Sequence, residues 1–147
     1  MGVRVQAEDF DPGAEIAALA GAAKGVGACA SFVGVVRGAE GGVQAMLLEH
    51  YPAMTGRAIE DIVAEAKRRW RLIDVTVIHR IGELRPGDRI VFVGVASAHR
   101  GDAFAACEFV MDYLKTRAPF WKKETTREGG RWVEAREGDD AAAARWD

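Results

Sequence analysis

Lysines at the end of one predicted helix are the residues of this sequence best suited to chemistry. The stretch MDYLKTRAPFWKKE (111–124) carries Lys115 before Pro119, and a lysine pair begins at Lys122 after two aromatic residues. Because proline disfavours helical geometry at the preceding residue, we predict that the helix ends at Ala118 and that the chain then turns back. The turn would direct Lys122 towards the end of the helix.

Helical phase places Lys115 at the edge of an apolar stripe. At about 100° per residue, one stripe contains Phe104, Cys107, Met111 and Leu114, and Lys115 lies four residues after Met111. We therefore expect a partly desolvated ammonium group, which can act as a nucleophile or as a general base. The alternative is that the stem of Lys115 packs on the edge of the core while its charge reaches water.

Two further basic sites lie at the ends of predicted strands. His99 and Arg100 stand between a strand over 89–98 and a helix over 101–117, where the free N–H groups of a helix start attract anions. Arg37 ends a buried strand and opens a glycine-rich loop. These clusters and the lysines could converge into one anion-binding pocket, or each could make ordinary surface contacts.

The alternation of helical and strand patterns predicts an α+β fold. The strand-helix-strand-strand-helix order over 43–117 suits a mostly antiparallel sheet with helices on one face. Residues 139–147 are expected to be a flexible, unsupported tail or a helix turn of a single domain that spans 1–147. Strands are predicted over 3–6, 26–36, 43–51, 73–82, 89–98 and 131–135, and helices over 13–21, 55–70 and 101–117.

Composition narrows the class of protein. The formal net charge of −2 argues against a general binder of nucleic acid or of anionic membranes. No apolar run reaches the roughly 20 residues that cross a bilayer, and no signal-peptide pattern begins the chain, so we expect a cytoplasmic protein. Cys29 and Cys107 lack metal-ligand or redox spacing and are expected to be small, buried core residues.

Five motifs carry a family resemblance. FVGVVRG, LEHYPAMT, VIHRIGELRPGD, VFVGVASAHRGDAF and MDYLKTRAPFWKKE occur in this order, within residues 26–136, and resemble the large, catalytic subunit of molybdopterin synthase. The resemblance implies an α/β hammerhead-type domain with a small additional antiparallel β subdomain, a homodimer of large subunits, and no metal or cofactor.

The resemblance also implies a partner and a reaction. Each large subunit would bind one small, ubiquitin-like sulfur-carrier subunit, giving a heterotetramer. The Gly-Gly C-terminus of that partner is a thiocarboxylate, which enters the pocket and delivers sulfur to cyclic pyranopterin monophosphate. Two transfers give the dithiolene of molybdopterin.

Site residues follow by matching the motifs. Lys115 matches the essential lysine of the family, and Lys122 matches the second active-site lysine. Phe32 and Arg136 are suggested as further walls of the pocket. The implied substrate-binding set is Val35, Val36, Arg37, His99, Arg100, Lys115, Lys122, Lys123 and Glu124.

Two other functions remain open. A non-catalytic docking protein for a ubiquitin-like Gly-Gly tail would keep the pocket and would use Lys115 only for its charge. A phosphate-ester hydrolase is a third interpretation, although the sequence offers it neither a metal cluster nor an evident nucleophile triad.

Overall fold

The computed structural model describes residues 2–38, 45–50, 52–118, 120–126, 129–133 and 137–147. Strands and helices alternate along these residues, which confirms the predicted α+β class. The helices are α1 (Pro12–Ala20), α2 (Pro52–Arg69), α3 (Arg100–Arg117) and α4 (Glu137–Ala144). The strands are β1 (Gly2–Gln6), β2 (Ala28–Val35), β3 (Ala45–His50), β4 (Asp74–Arg80), β5 (Gly82–Leu84), β6 (Arg89–Ser97), β7 (Phe120–Thr126) and β8 (Gly129–Val133).

The strands form two four-stranded sheets. The first sheet has the order β1-β4-β6-β2, in which β1 runs parallel to β4 and the other neighbours are antiparallel. The second sheet has the order β5-β3-β7-β8 and is antiparallel throughout. Strand β3 therefore does not join β4 and β6 in one sheet, as the order of elements had suggested, because its partners are β5 and β7.

Helices cover both faces of the first sheet: α2 and α3 share one face, as the order over 43–117 predicted, and α1 lies on the other. Successive residues of β6 point to opposite faces. Val93 and Val95 pack in the cluster that contains α2 and α3, whereas Phe92 and Ala96 pack with Leu19 of α1. Sequence order alone did not show that α1 crosses behind the sheet.

Helix α3 begins and ends where the sequence indicated. His99 before it and Ala118 after it have extended backbones, with φ/ψ of −132°/146° and −86°/130°. Pro119 lies outside the described residues. An extended residue at each end delimits a helix of 18 residues, which is about 27 Å long.

The buried face of α3 differs from the predicted stripe. Phe104 is 65% exposed and Met111 is half-buried, although Cys107 and Leu114 are buried as expected. The buried face of α3 includes two alanines and a tyrosine, which a search for large apolar residues undervalues. It comprises Ala103, Ala106, Cys107, Phe109, Val110, Tyr113 and Leu114.

The last residues are not an unsupported tail. Helix α4 packs on α3, and Ala143 is only 5% exposed. Beyond it, the Trp146 ring meets Trp70 and Phe109 edge-on, with centroid distances of 5.6 Å to each. These aromatic contacts fix the chain end against α2 and α3.

The two cysteines have different environments. Cys107 is buried on α3, as predicted, but Cys29 is exposed. The prediction for Cys29 was wrong because β2 is an edge strand of the first sheet, where an apolar-looking run is covered on fewer sides.

Among the described residues, no helix is both long and apolar enough to cross a membrane.

Candidate active site

Lys115 lies on the last turn of α3 and is exposed. The partial desolvation predicted for it is therefore not a property of the single chain. Helical phase puts it on the same face as Phe104 and Met111, eleven and four residues earlier. That face borders solvent rather than the core. Lys115 therefore lies on the side of the helix that was predicted, but it is not partly buried there.

An open groove of about 590 Å³ runs between this face of α3 and strand β2. Phe32, which was suggested as a pocket wall, lines the groove from the strand side and is 41% exposed. Glu108 and Met111 line it from the helix side. Lys115 is one turn beyond Met111, so the groove leads towards this lysine.

The second lysine cluster belongs to a strand. Lys122 pairs with Leu48 of β3 and with Val133 of β8. Lys123 and Glu124 follow in register on β7. The sequence pointed to a bend after α3 but missed this strand, because a run of charges next to two aromatics carries no strand pattern.

Arg37 leaves the end of β2 from a fixed position. The amide of Val36 donates to the carbonyl of Asp88 at 2.9 Å, and the amide of Gly87 donates to the carbonyl of Val36 at 2.9 Å. Arg37 itself is exposed, as is Val35 at 48%. These bonds fix the backbone from which the Arg37 side chain extends.

Val36 does not line an open pocket in this chain. It is 2% exposed and packs with Leu48 of β3 and Leu84 of β5. This small cluster joins the two sheets, so the side chain of Val36 packs in the interior and does not face an open surface. Its predicted contact with substrate can involve only its backbone or a rearranged side chain.

His99 and Arg100 stand at the start of α3 and are exposed. The side chain of His99 makes no capping hydrogen bond to the first turn, which leaves the helix N-terminus accessible. Arg100 and Lys115 are fifteen positions apart on a continuous helix, which is about 22 Å along the axis. The three basic clusters therefore do not converge into one pocket within a single chain.

Arg136, the other suggested wall residue, lies outside the described residues. Within the described parts of the chain, no group of three or more His, Cys, Asp or Glu side chains is arranged to hold a metal ion.

A bridging arginine near Lys115 was missed by the sequence analysis. Arg145 Nη2 donates to Asp112 Oδ2 at 3.0 Å and also to Glu108, and both carboxylates belong to the groove side of α3. These hydrogen bonds, that to Glu108 first, raise the pKa of the Arg145 guanidinium. The only sequence signal was an arginine beside a tryptophan in a segment that looked unsupported.

Comparison with known proteins gives a family match. The family model described as MoaE protein matches residues 5–117. A molybdopterin synthase catalytic subunit from Ralstonia nicotianae is 61% identical over 146 residues, which cover 98% of this chain and 83% of the relative.

Solved structures share the fold. The molybdopterin biosynthesis MoaE protein from Burkholderia ambifaria MC40-6 superposes with a TM-score of 0.86 at 61% identity, covering 99% of this chain and 97% of that chain. A protein–protein complex of subunits 1 and 2 of the molybdopterin-converting factor from Helicobacter pylori 26695 gives a TM-score of 0.73 at 22% identity, covering 92% and 90%.

Proposed function

Since this chain belongs to the MoaE protein family, we propose that it is the catalytic subunit of a molybdopterin synthase. It transfers sulfur to cyclic pyranopterin monophosphate and so produces molybdopterin for molybdenum cofactor biosynthesis. The observation that carries the proposal is 61% identity to a curated catalytic subunit across nearly the whole chain. The fold proposed for it is the α/β hammerhead type, with the second sheet as the additional antiparallel subdomain.

The sulfur donor is the C-terminal thiocarboxylate of a small ubiquitin-like subunit. The relative from Helicobacter pylori, whose structure is a complex of two subunits, supports a partner of this kind. In each transfer the thiocarboxylate sulfur forms a bond to a carbon of the pterin precursor while a carbon–oxygen bond at that carbon breaks, and the oxygen leaves on the opened phosphate ester or as water. Water then cleaves the acyl–sulfur bond, leaving the sulfur on the pterin and a carboxylate on the partner.

Lys115 and Lys122 are the proposed catalytic residues. Oxyanion charge develops when water attacks the thioester that joins the partner's C-terminus to the pterin. A nearby ammonium group stabilises this charge most strongly where bulk water is excluded. Lys115 is exposed in the single chain, so the entering tail of the partner supplies the desolvation. Lys123 and Glu124 on β7, together with Val35 and Arg37 at the end of β2, complete the proposed substrate-binding set on this side.

His99 and Arg100 are proposed to serve the site of a second copy. They suit the phosphate of the precursor, because a helix start and a guanidinium both bind anions. The helix that separates them from Lys115 is far longer than one small substrate, so the same chain does not supply both ends. A homodimer, within a heterotetramer with two small subunits, can bring Arg100 of one copy to Lys115 of the other.

The activity is tested with the thiocarboxylated small subunit and cyclic pyranopterin monophosphate, followed by an assay for the dithiolene product. Lys115→Ala is expected to bind the small subunit with little change while turnover is almost lost. Equal losses of binding and turnover would instead favour a docking protein. If the unaltered protein gives no product under conditions in which a known synthase is active, the proposed function is wrong.

The shared site is tested by mixing subunits. Lys115→Ala and Arg100→Ala are each expected to be inactive, but a dimer with one of each has one site with both residues intact. Random exchange of subunits should restore about a quarter of the original activity. If both residues serve the same chain, no mixture regains activity.

A further inference from the structure

Two carboxylates stand on the side of α3 that carries Lys115. Asp112 precedes the lysine by three residues and Glu108 by seven, which places them about 4.5 and 10.5 Å from it along the helix axis. Both line the groove between α3 and β2. A site that receives a thiocarboxylate and a phosphate would be weakened by two uncompensated negative charges so close to it.

One residue from the chain end offsets part of this negative charge. Arg145 Nη2 donates to Asp112 Oδ2 at 3.0 Å and to Glu108, so a single guanidinium bridges the two carboxylates. The Arg145 side chain is 49% exposed, Glu108 is 58% exposed and Asp112 is 17% exposed. The Arg145–Glu108 pair is exposed at both ends, and such ion pairs add little to stability.

The position of Arg145 is fixed by its neighbour. Trp146 packs edge-on against Trp70 and Phe109, and its indole Nε1 donates to Asp112 Oδ2 at 2.7 Å. The guanidinium of Arg145 also lies 5.0 Å from the Trp146 ring centroid. The bridging geometry is therefore built into the packing of the chain end and does not depend on a freely moving side chain.

We propose that Arg145 is an electrostatic positioning residue of the sulfur-transfer site, which halves the negative charge of Glu108 and Asp112 so that anionic ligands can approach Lys115. This inference rests on the proposed function, because the ligands it concerns are the thiocarboxylate tail and the phosphorylated pterin precursor. It assigns a role to the chain end that neither the motifs nor the family match at residues 5–117 includes. It requires no direct contact between Arg145 and a ligand.

The test compares kinetics of charge variants in the complete complex. Arg145→Gln should raise KM for cyclic pyranopterin monophosphate about three- to tenfold, since one lost charge at this range alters binding by that order. It should change kcat less than KM. The increase should shrink at about 1 M salt, where the Debye length falls to about 3 Å.

A second measurement removes the two carboxylates and shows whether the effect of Arg145 on KM is electrostatic. In the triple variant Arg145→Gln, Glu108→Gln, Asp112→Asn, the negative charges are gone and KM should return towards the original value. The Asp112→Asn change keeps a side-chain oxygen that can accept from the indole of Trp146, so the packing is retained. If KM stays high in the triple variant, Arg145 acts only as a structural clamp and the proposal is wrong.

Controls separate this inference from the assignment of function. Arg4→Gln removes a similarly exposed arginine that pairs with Glu15, on the far edge strand of the first sheet, and should leave KM unchanged. An inactive unaltered protein overturns the proposed function, whereas active protein with equal KM for Arg145→Gln overturns only this inference.

A second variant covers the case in which Arg145→Gln does not fold. Glu108→Gln with Arg145 intact changes an exposed side chain and should lower KM about two- to threefold, because a negative charge near the anion site is removed. An unchanged or higher KM contradicts the proposal.

Discussion

The indole Nε1 of Trp146 donates to Asp112 Oδ2 at 2.7 Å, and this bond ties the chain end to the turn of α3 that precedes Lys115. Arg69 of α2 donates to the Trp146 carbonyl, and Arg117 Nη2 donates to Asp147 Oδ1 at 3.3 Å. Residues 146 and 147 thereby connect α2 with the last turns of α3.

Trp146→Ala should reduce the free energy of unfolding by about 2–4 kcal/mol, because a large ring and a hydrogen bond are removed from a mostly packed position. Urea unfolding measures the loss. Trp146→Phe keeps an aromatic ring beside Trp70 and Phe109 and should lose much less. An unchanged urea midpoint for the alanine variant would show that the chain end contributes nothing to the fold.

Gly94→Ala should destabilise the protein by about 1–3 kcal/mol, because an added methyl group overpacks a filled core. A Cβ at this position would stand 2.4 Å from Leu19 Cδ1 and 2.8 Å from the Phe92 ring. Gly56→Ala in α2 is the matched control, since a Cβ there meets nothing within 4 Å. It should stabilise the helix by about 0.5–1 kcal/mol. Equal melting temperatures for the two variants would contradict this packing.

The Asp9–Arg89 pair should make stability depend on acid pH. The Arg89 guanidinium donates from Nη2 to Asp9 Oδ2 at 2.7 Å and from Nε to Asp9 Oδ1 at 3.1 Å. These hydrogen bonds lower the pKa of Asp9 below its ordinary value of 3.8. A lowered pKa in the folded state gives stability that is present above the unfolded pKa and is lost as the pH falls through the folded pKa.

Asp9→Asn measures this contribution. The original protein should have the higher urea midpoint at pH 7, and the gap should close between about pH 5 and pH 2. A gap that stays constant over this range would show that the carboxylate charge has no part in it.

The two thiols should react at different rates with a disulfide reagent. Cys29 is exposed, whereas burial, with a smaller effect of Glu108, raises the pKa of Cys107 to about 11. Because the thiolate is the reactive form, the folded protein should show one fast thiol, and Cys29→Ser should remove it. Cys107→Ser should leave the fast reaction unchanged.

Sulfur transfer should not need either thiol, because the partner brings the sulfur. The double variant Cys29→Ser, Cys107→Ala is therefore expected to retain most of its activity in the dithiolene assay. An inactive but folded double variant would assign a chemical role to a cysteine.

Local patterns predicted the limits of the elements well. The proline after Ala118 and the short gap between β6 and α3 gave both ends of the helix that carries Arg100 and Lys115. These features depend on backbone preferences of neighbouring residues, which a sequence expresses directly.

Long-range placement was harder to predict. The exposure of Cys29 depends on β2 being an edge strand, and the burial of Val36 depends on contacts with Leu48 and Leu84 from a second sheet. Strand β7 has no alternating pattern and is defined by its pairing with β3 and β8. The bridge from Arg145 to α3 has no local signature either, whereas the separation of Arg100 from Lys115 follows from the length of the predicted helix.

The number of residues in α3 sets both the distance between Arg100 and Lys115 and the angle between them around the helix axis. One inserted residue would move Lys115 by about 1.5 Å and turn it by about 100° relative to Arg100. Four inserted residues would nearly restore the rotation but lengthen the helix by about 6 Å. Insertions and deletions should therefore be tolerated in the connecting loops of this protein and excluded from residues 100–117.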